Sequence, residues 1–157
     1  MTYVSRTLGS KEQILFITGY HWLYWFGASI LIAPFVAVAV AGIPYGAGAY
    51  ILLAVTAIPM FFGLNFLIQA IALEVAVTTD RFVKKTGLVS IKTEEVSLDK
   101  IEEVNVSQTL FGQLFGFGMI DVHGTGAGAI RVRMLTDPIR LRREIQGARE
   151  QLKNKSE

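Results

Sequence analysis

The sequence predicts a two-helix transmembrane hairpin followed by a small, mainly β, α+β domain. That domain is expected to be a bent antiparallel sheet or partly open barrel of about seven strands, capped by a C-terminal amphipathic helix. Three observations carry the expectation. From Gln13 to Leu73 there is no Asp, Glu, Lys or Arg, a run of 61 residues that a soluble domain of this size cannot bury. Glu74 to Glu157 holds 13 of the 15 basic and 12 of the 13 acidic residues, the composition of an aqueous domain. Past Glu74 the apolar period falls to two, and after Asp137 it becomes that of a helix.

The elements follow in order. Residues 1–21 read as a cytoplasmic N-terminal segment, 22–73 as the hairpin and 74–157 as a cytoplasmic domain. Trp22 to Val40 is 19 residues, about 28 Å of helix, close to the hydrocarbon thickness of a bilayer. Residues 41–50, with their glycines and Pro44, form a tight connection, and Ile51 to Leu73 is a second span. Helices of this length pair their backbone groups internally, as lipid requires. Ala39-Val-Ala41 has the small-x-small look of a signal-peptidase site, but the apolar segment before it is too long for a signal-peptide core.

Arg6 and Lys11 precede the first span, Arg81, Lys84 and Lys85 follow the second, and the connection carries no cation. The positive-inside rule therefore places both termini in the cytoplasm. Tyr20, His21, Trp22, Tyr24 and Trp25 at one level, and Tyr45 and Tyr50 at the other, read as interfacial aromatic belts. Asn65 and Gln69, four residues apart, share one helix face and are candidate transmembrane helix contacts, within the hairpin or between subunits. Pro34 and Pro59 bend the helices.

In the domain, Val75 and Val77 alternate with small residues, Thr79-Asp-Arg81 turns, and Phe82 to Lys85 forms a second strand. Leu88 to Ile91, Val96 to Leu98 and Ile101 to Gln108 read as the next three. Leu110 to Gly118 reads as a single helical turn and loop that plugs one end of the sheet. Met119 to His123 and Ile130 to Met134 are strands joined by the Gly124-Thr-Gly-Ala-Gly128 turn. A phosphate-binding glycine loop would open a helix, and this one opens a strand. Asp137 and Pro138 are N-cap and first helical residue, and Leu141, Ile145, Ala148 and Leu152 form one apolar stripe.

Thr79-Asp-Arg-Phe-Val-Lys-Lys-Thr-Gly-Leu88, Val96-Ser-Leu-Asp-Lys-Ile-Glu-Glu-Val-Asn-Val-Ser-Gln108 and Phe115-Gly-Phe-Gly-Met-Ile-Asp-Val122, in this order, resemble the bacterial pleckstrin-homology-like (PH-like) domain of small membrane proteins described as YdbS-like. Leu8-Gly-Ser-Lys-Glu-Gln13 before an aromatic span is similar to that family's approach to its helical hairpin. The resemblance covers nearly the whole chain. It implies a membrane-anchored PH-like module with no catalytic residues to carry over and no cofactor. Many eukaryotic PH domains read phosphoinositides with a basic loop between their first two strands; here that turn is read as Thr79-Asp-Arg81.

The chemistry in the sequence is sparse. A net charge of +2, shared evenly by the two halves, is not that of a nucleic-acid binder, and with no Cys there is no thiolate or disulfide. His21 and His123 lack companions at metal-ligand spacing. His123 and Asp121 share a strand face and can form at most an acid–base pair. Glu94-Glu95 and Glu102-Glu103 are adjacent, so each pair splits across two faces. No enzymatic activity, metal or cofactor is expected.

Arg81, Lys84 and Lys85 are candidate headgroup-facing residues close to the bilayer. Arg140, Arg142 and Arg143 stand at a helix start, where cations oppose the dipole, and are a candidate partner-binding cluster; Arg131 and Arg133 lie on one strand face. The expected function is a binding and assembly module at the cytoplasmic face of a bacterial inner membrane. Its expected partners are membrane lipids, anionic headgroups among them, and a second copy or another membrane protein. The alternative is a subunit of a homo-oligomeric channel or transporter lined by Asn65 and Gln69, although no ionisable residue lies at depth.

Overall fold

The uncharged run folds mostly into two long helices, and the charged remainder into strands. The computed structural model describes residues 3–10, 12–41, 47–126 and 128–156. It divides into two units: Met1–His21 together with Ala72–Glu157, and Trp22–Ile71.

In the helical unit, α2 (Trp22–Ala41) and α3 (Ala47–Ala72) are long and apolar enough to cross a membrane. Helix α1 is a short N-terminal turn, Tyr3–Arg6, in the other unit. Gly42 to Gly46, including Tyr45 of the expected second aromatic belt, lie outside the described residues. Tyr24 and Phe66 rings meet edge to face at 5.3 Å, so α2 and α3 run antiparallel with Ala28 near Gly63. A Cβ on Gly63 would stand 2.7 Å from Ile32 Cγ1 and 2.9 Å from the Ala28 carbonyl oxygen, which makes this a point of close approach. Most other side chains of the pair are exposed or half-exposed, and most of those are apolar, with Ser29, Asn65 and Gln69 among the polar exceptions.

Among the described residues, the second unit holds seven strands in two antiparallel sheets. One has the order β1-β2-β3-β4 and the other β5-β6-β7. The strands are β1 (Ile14–Thr18), β2 (Glu74–Thr78), β3 (Arg81–Thr86), β4 (Lys92–Ser97), β5 (Ile101–Ser107), β6 (Phe117–Gly124) and β7 (Ala129–Thr136). A single 3-10 turn, Leu98–Lys100, joins the sheets, α4 (Leu110–Phe115) links β5 to β6, and α5 (Pro138–Ser156) follows β7. The core lies between the sheets and α5. Phe82, Leu98, Ile101, Ile120 and Leu135 are fully buried, and α5 adds Leu141, Ile145 and Ala148, the expected stripe. Each large apolar side chain so buried contributes about 1.5–3 kcal/mol. Asp137 accepts the Arg140 N–H at 3.2 Å, the expected helix cap.

Three expectations need correction. The seventh strand is Ile14–Thr18, which pairs with β2 from Ile14↔Thr78 to Thr18↔Val75, so the N-terminal residues are part of the β unit and not a segment of their own. The apolar helices are thus inserted between β1 and β2, and Thr79-Asp-Arg81 is the second turn rather than the first. Leu88 to Ile91 is not a strand: Thr86 pairs with Lys92, leaving 87–91 as the connection between β3 and β4. Tyr20 and His21 do not belong to an aromatic belt either. Tyr20 bridges to Leu135, and His21 is buried, donating its N–H to the Met134 carbonyl at 2.8 Å.

Replacing Gly63 by Leu is expected to force the helices apart at a cost of about 1–3 kcal/mol. The check is thermal unfolding in detergent, in which Gly63→Leu should melt below the parent chain.

Candidate functional site

The register of the strands gives the β unit two distinguishable ends. Thr18, Glu74, Lys85 and Thr86 mark one, where the chain leaves after His21 and returns at Ala72; it is called here the junction end. The Thr79–Arg81 turn, the 3-10 turn and Thr125 mark the other, tied by Leu98 N–H to the Asp80 carbonyl and Thr125 N–H to the Lys100 carbonyl. Along β2 the ends are about 13 Å apart.

Arg81 lies at the distal end and is fully engaged. Its guanidinium donates to Glu12 through Nε and Nη2, both at 2.9 Å, to Glu95 at 2.8 Å and to the Thr7 carbonyl at 2.8 Å. The Glu12 side chain is only 4% exposed. Burial alone pushes its carboxyl up, but hydrogen bonds from Arg81, Gly9 N–H and Thr78 outweigh this and hold it below the ordinary range. Lys84 bonds Glu94 at 2.8 Å, and Lys92 lies 3.5 Å away on the same carboxylate. The bond from Lys84 is the largest cause that holds Glu94 below its ordinary value. Glu94 and Glu95 thus serve opposite faces, each neutralising one cation of β3. Lys85 lies elsewhere, opposite Glu74 at the junction end.

Helix α5 also starts at the junction end. Gly19 accepts the Thr136 N–H at 3.0 Å, and Gly116 accepts the Asp137 N–H at 3.0 Å. Its cations therefore stand beside the point where the chain leaves. Arg140 stacks on Phe16 at 4.8 Å and lies 3.8 Å from Glu144. Arg142 and Arg143 are exposed and form no ion pair among the described residues. The structure brings Lys85 and the arginines of α5 to one end and separates them from Arg81.

The expected plug is misplaced. Helix α4 is the expected helical turn, capped by the Thr109 hydroxyl on Gly112 N–H at 3.1 Å. Its side chains point outward, with Leu110 83%, Phe111 71%, Leu114 77% and Phe115 44% exposed. The reason is Gly112, where a Cβ would stand 2.5 Å from the Phe117 carbonyl oxygen, so backbone and not side chain seats α4 on the sheet. Sequence reading missed this surface because its Leu and Phe pattern is that of a core segment. The signal it offered was the lack of any charged residue from Val104 through Ile120.

Other residues singled out are engaged or scattered. Asp121 pairs with Arg131 at 2.6 Å across β6 and β7, which removes the His123–Asp121 acid–base pair. In the helical unit Gln69 donates to Asn65 at 2.6 Å and accepts from the Tyr24 hydroxyl at 3.3 Å, a polar link between α2 and α3. A cleft of about 980 Å³ at the distal end, lined by Asp80, Asp99, Gln146, Arg149, Glu150 and Lys153 among others, mixes both charge signs. Among the described residues, no three of His, Asp and Glu are grouped so as to hold a metal ion.

A family model described as Bacterial PH domain matches residues 28–149, which runs from within α2 into α5. The chain belongs to the bacterial PH domain family. The protein is also similar to a DUF1696-family protein with a pleckstrin-homology domain from Shewanella loihica PV-4, known from its crystal structure. That likeness has 10% identity and a TM-score of 0.49, over 93% of this chain and 86% of that one. Among curated proteins none matches. Here the β1–β2 connection holds two apolar helices.

The Glu12 and Glu94 carboxyls are lowered from 4.5, so their contribution to stability is present above that value and is lost as pH falls through the lower folded values. Melting of the full chain in detergent should therefore decline on acidification, with a shallower decline in Glu12→Gln. Arg81→Leu strands the buried carboxylate and should cost about 1–3 kcal/mol at neutral pH.

Proposed function

We propose that this protein is a membrane-tethered PH module of a bacterial cytoplasmic membrane, with both termini and the PH domain in the cytoplasm. It acts by binding anionic headgroups and by assembling with further copies of itself, without catalysis. Within the family we place it with the YdbS-like membrane proteins. The observation that carries this is the insertion of the two apolar helices between β1 and β2. Helices whose outer side chains are almost all apolar need a non-aqueous surround, and α2 and α3 have the length to find it across a bilayer.

Tethering through two neighbouring strands keeps the junction end near the leaflet, so weak contacts are occupied by effective concentration. Lys85, Arg140, Arg142 and Arg143 then meet headgroups at about 1 kcal/mol each. Arg81 and Lys84 contribute less, because their charge is spent on Glu12, Glu95 and Glu94. The amides of Asn65 and Gln69 are occupied by one another and by Tyr24, which favours helix pairing over a pore lining.

The test is hydrogen exchange on the full chain in nanodiscs of phosphatidylcholine with and without phosphatidylglycerol. Amides in the first turns of α5 should exchange more slowly on the anionic discs, the difference should shrink at high salt, and Arg140→Gln/Arg142→Gln/Arg143→Gln should abolish it. Equal exchange on both discs overturns headgroup binding. A fragment starting at residue 75 is unsuitable, since it lacks β1.

A further inference from the structure

Two exposed apolar tips project from the junction end. One is α4, with Leu110, Phe111, Leu114 and Phe115 turned outward. The other is the 87–91 connection, in which Leu88 and Val89 are exposed. Their placement follows from the hydrogen bonding of the β unit. Lys85 is opposite Glu74, so the 87–91 turn extends past the level at which the chain returns from α3. On the other flank Phe117, the second residue after α4, pairs with Thr136, whose N–H bonds the Gly19 carbonyl. The His21 ring lies 5.4 Å from that of Phe117. The Leu73 carbonyl oxygen lies 3.6 Å from where Gly19 would carry a Cβ, so the exit and the return are side by side. The two tips therefore flank the points where the chain leaves and re-enters the β unit.

We infer that α4 and the 87–91 turn are interfacial wedges that dip into the same leaflet that the hairpin crosses, seating the PH domain on lipid. This deepens the proposed function and rests on its reading that α2 and α3 span the membrane. Three features fit a lipid surface better than water. The tip around α4 is free of charge from Val104 through Ile120, so nothing ionised is dragged into the headgroup region. The exposed cations Arg142 and Arg143 lie in the first turns of α5, whose start is tied by the Asp137 N–H to the carbonyl of Gly116, the residue after α4. Apolar residues backed by cations are the combination that holds a segment at a membrane interface. With α2 and α3 in the membrane, a chain that leaves the β unit after His21 and returns to it at Ala72 brings these tips to lipid without a further search.

The test uses the full chain, which has no native cysteine. Single cysteines replace Leu114 and Val89 at the tips, Ile58 in α3 and Glu150 on the distal half of α5, each labelled with NBD and reconstituted in phosphatidylcholine/phosphatidylglycerol vesicles. Expected are blue-shifted emission and strong quenching by headgroup-level nitroxide lipids at Leu114→Cys and Val89→Cys. Glu150→Cys should be quenched only by aqueous iodide, and Ile58→Cys only by nitroxides deep in the acyl chains. If Ile58→Cys is lipid-embedded while the tips behave like Glu150→Cys, the wedge inference fails and the anchor stands. Blue-shifted tips that lipid nitroxides do not quench are covered by protein, which replaces the lipid by a second copy or partner. An Ile58→Cys label open to iodide removes the anchor, and the wedges with it.

Discussion

The pairing of β1 with β2 across the inserted helices is the constraint on which the rest of the arrangement depends. Neighbouring strands lie about 4.8 Å apart. The chain must therefore leave one unit and return to it at adjacent points, whatever lies between. An antiparallel helix pair begins and ends at the same end, and this is what the connection supplies. Its closeness depends on small residues, Ala28 and Gly63, at the crossing. The same strand pairing fixes which surfaces of the β unit share the junction end, since β3 returns alongside β2 and β7 closes on Gly19.

Charge is distributed along this axis. Cations of β3 away from the junction are neutralised within the sheet, Arg81 by Glu12 and Glu95 and Lys84 by Glu94. Because Glu94 and Glu95 point to opposite faces, adjacent carboxylates neutralise two cations three residues apart without competing. The surplus is left at the junction end, on Lys85 and on the first turns of α5. Cations there oppose the helix dipole, and while Arg140 is offset by Glu144 and Phe16, Arg142 and Arg143 have no ion pair among the described residues.

Much of the fold was legible because period and composition change sharply at Glu74 and at Asp137. The α5 stripe, the Asp137 cap and the 124–128 turn follow from local chemistry and stand in the structure as expected, with Ala127 outside the described residues. Strand β1 was not legible. Ile14-Leu-Phe-Ile-Thr18 presents Leu15 and Ile17 on its exposed face, so the alternation that marks a half-buried strand is erased, and it lies inside the uncharged run. Leu88 to Ile91 failed for the converse reason: apolar residues suggested burial where the register leaves a turn. Of the site, the arginines of α5 were legible as charge out of place. The outward face of α4 was not, because only the close approach at Gly112 decides which side of the helical turn meets the sheet.

The insertion also changes what a PH domain can use for recognition. A binding loop between the first two strands needs polar, basic residues free to surround a headgroup. Here that connection carries no charged residue at all between Gln13 and Leu73. Any recognition of a charged ligand at this end must therefore come from neighbouring elements. Lys85 on β3 and the arginines that open α5 remain at the junction end, with apolar rather than polar tips at 87–91 and α4. A surface of this composition, a few cations around exposed Leu, Val and Phe, offers charge and apolar area but few directed donors. Under the proposed function, such a surface suits a module that responds to the presence and charge of a bilayer more than to one lipid species.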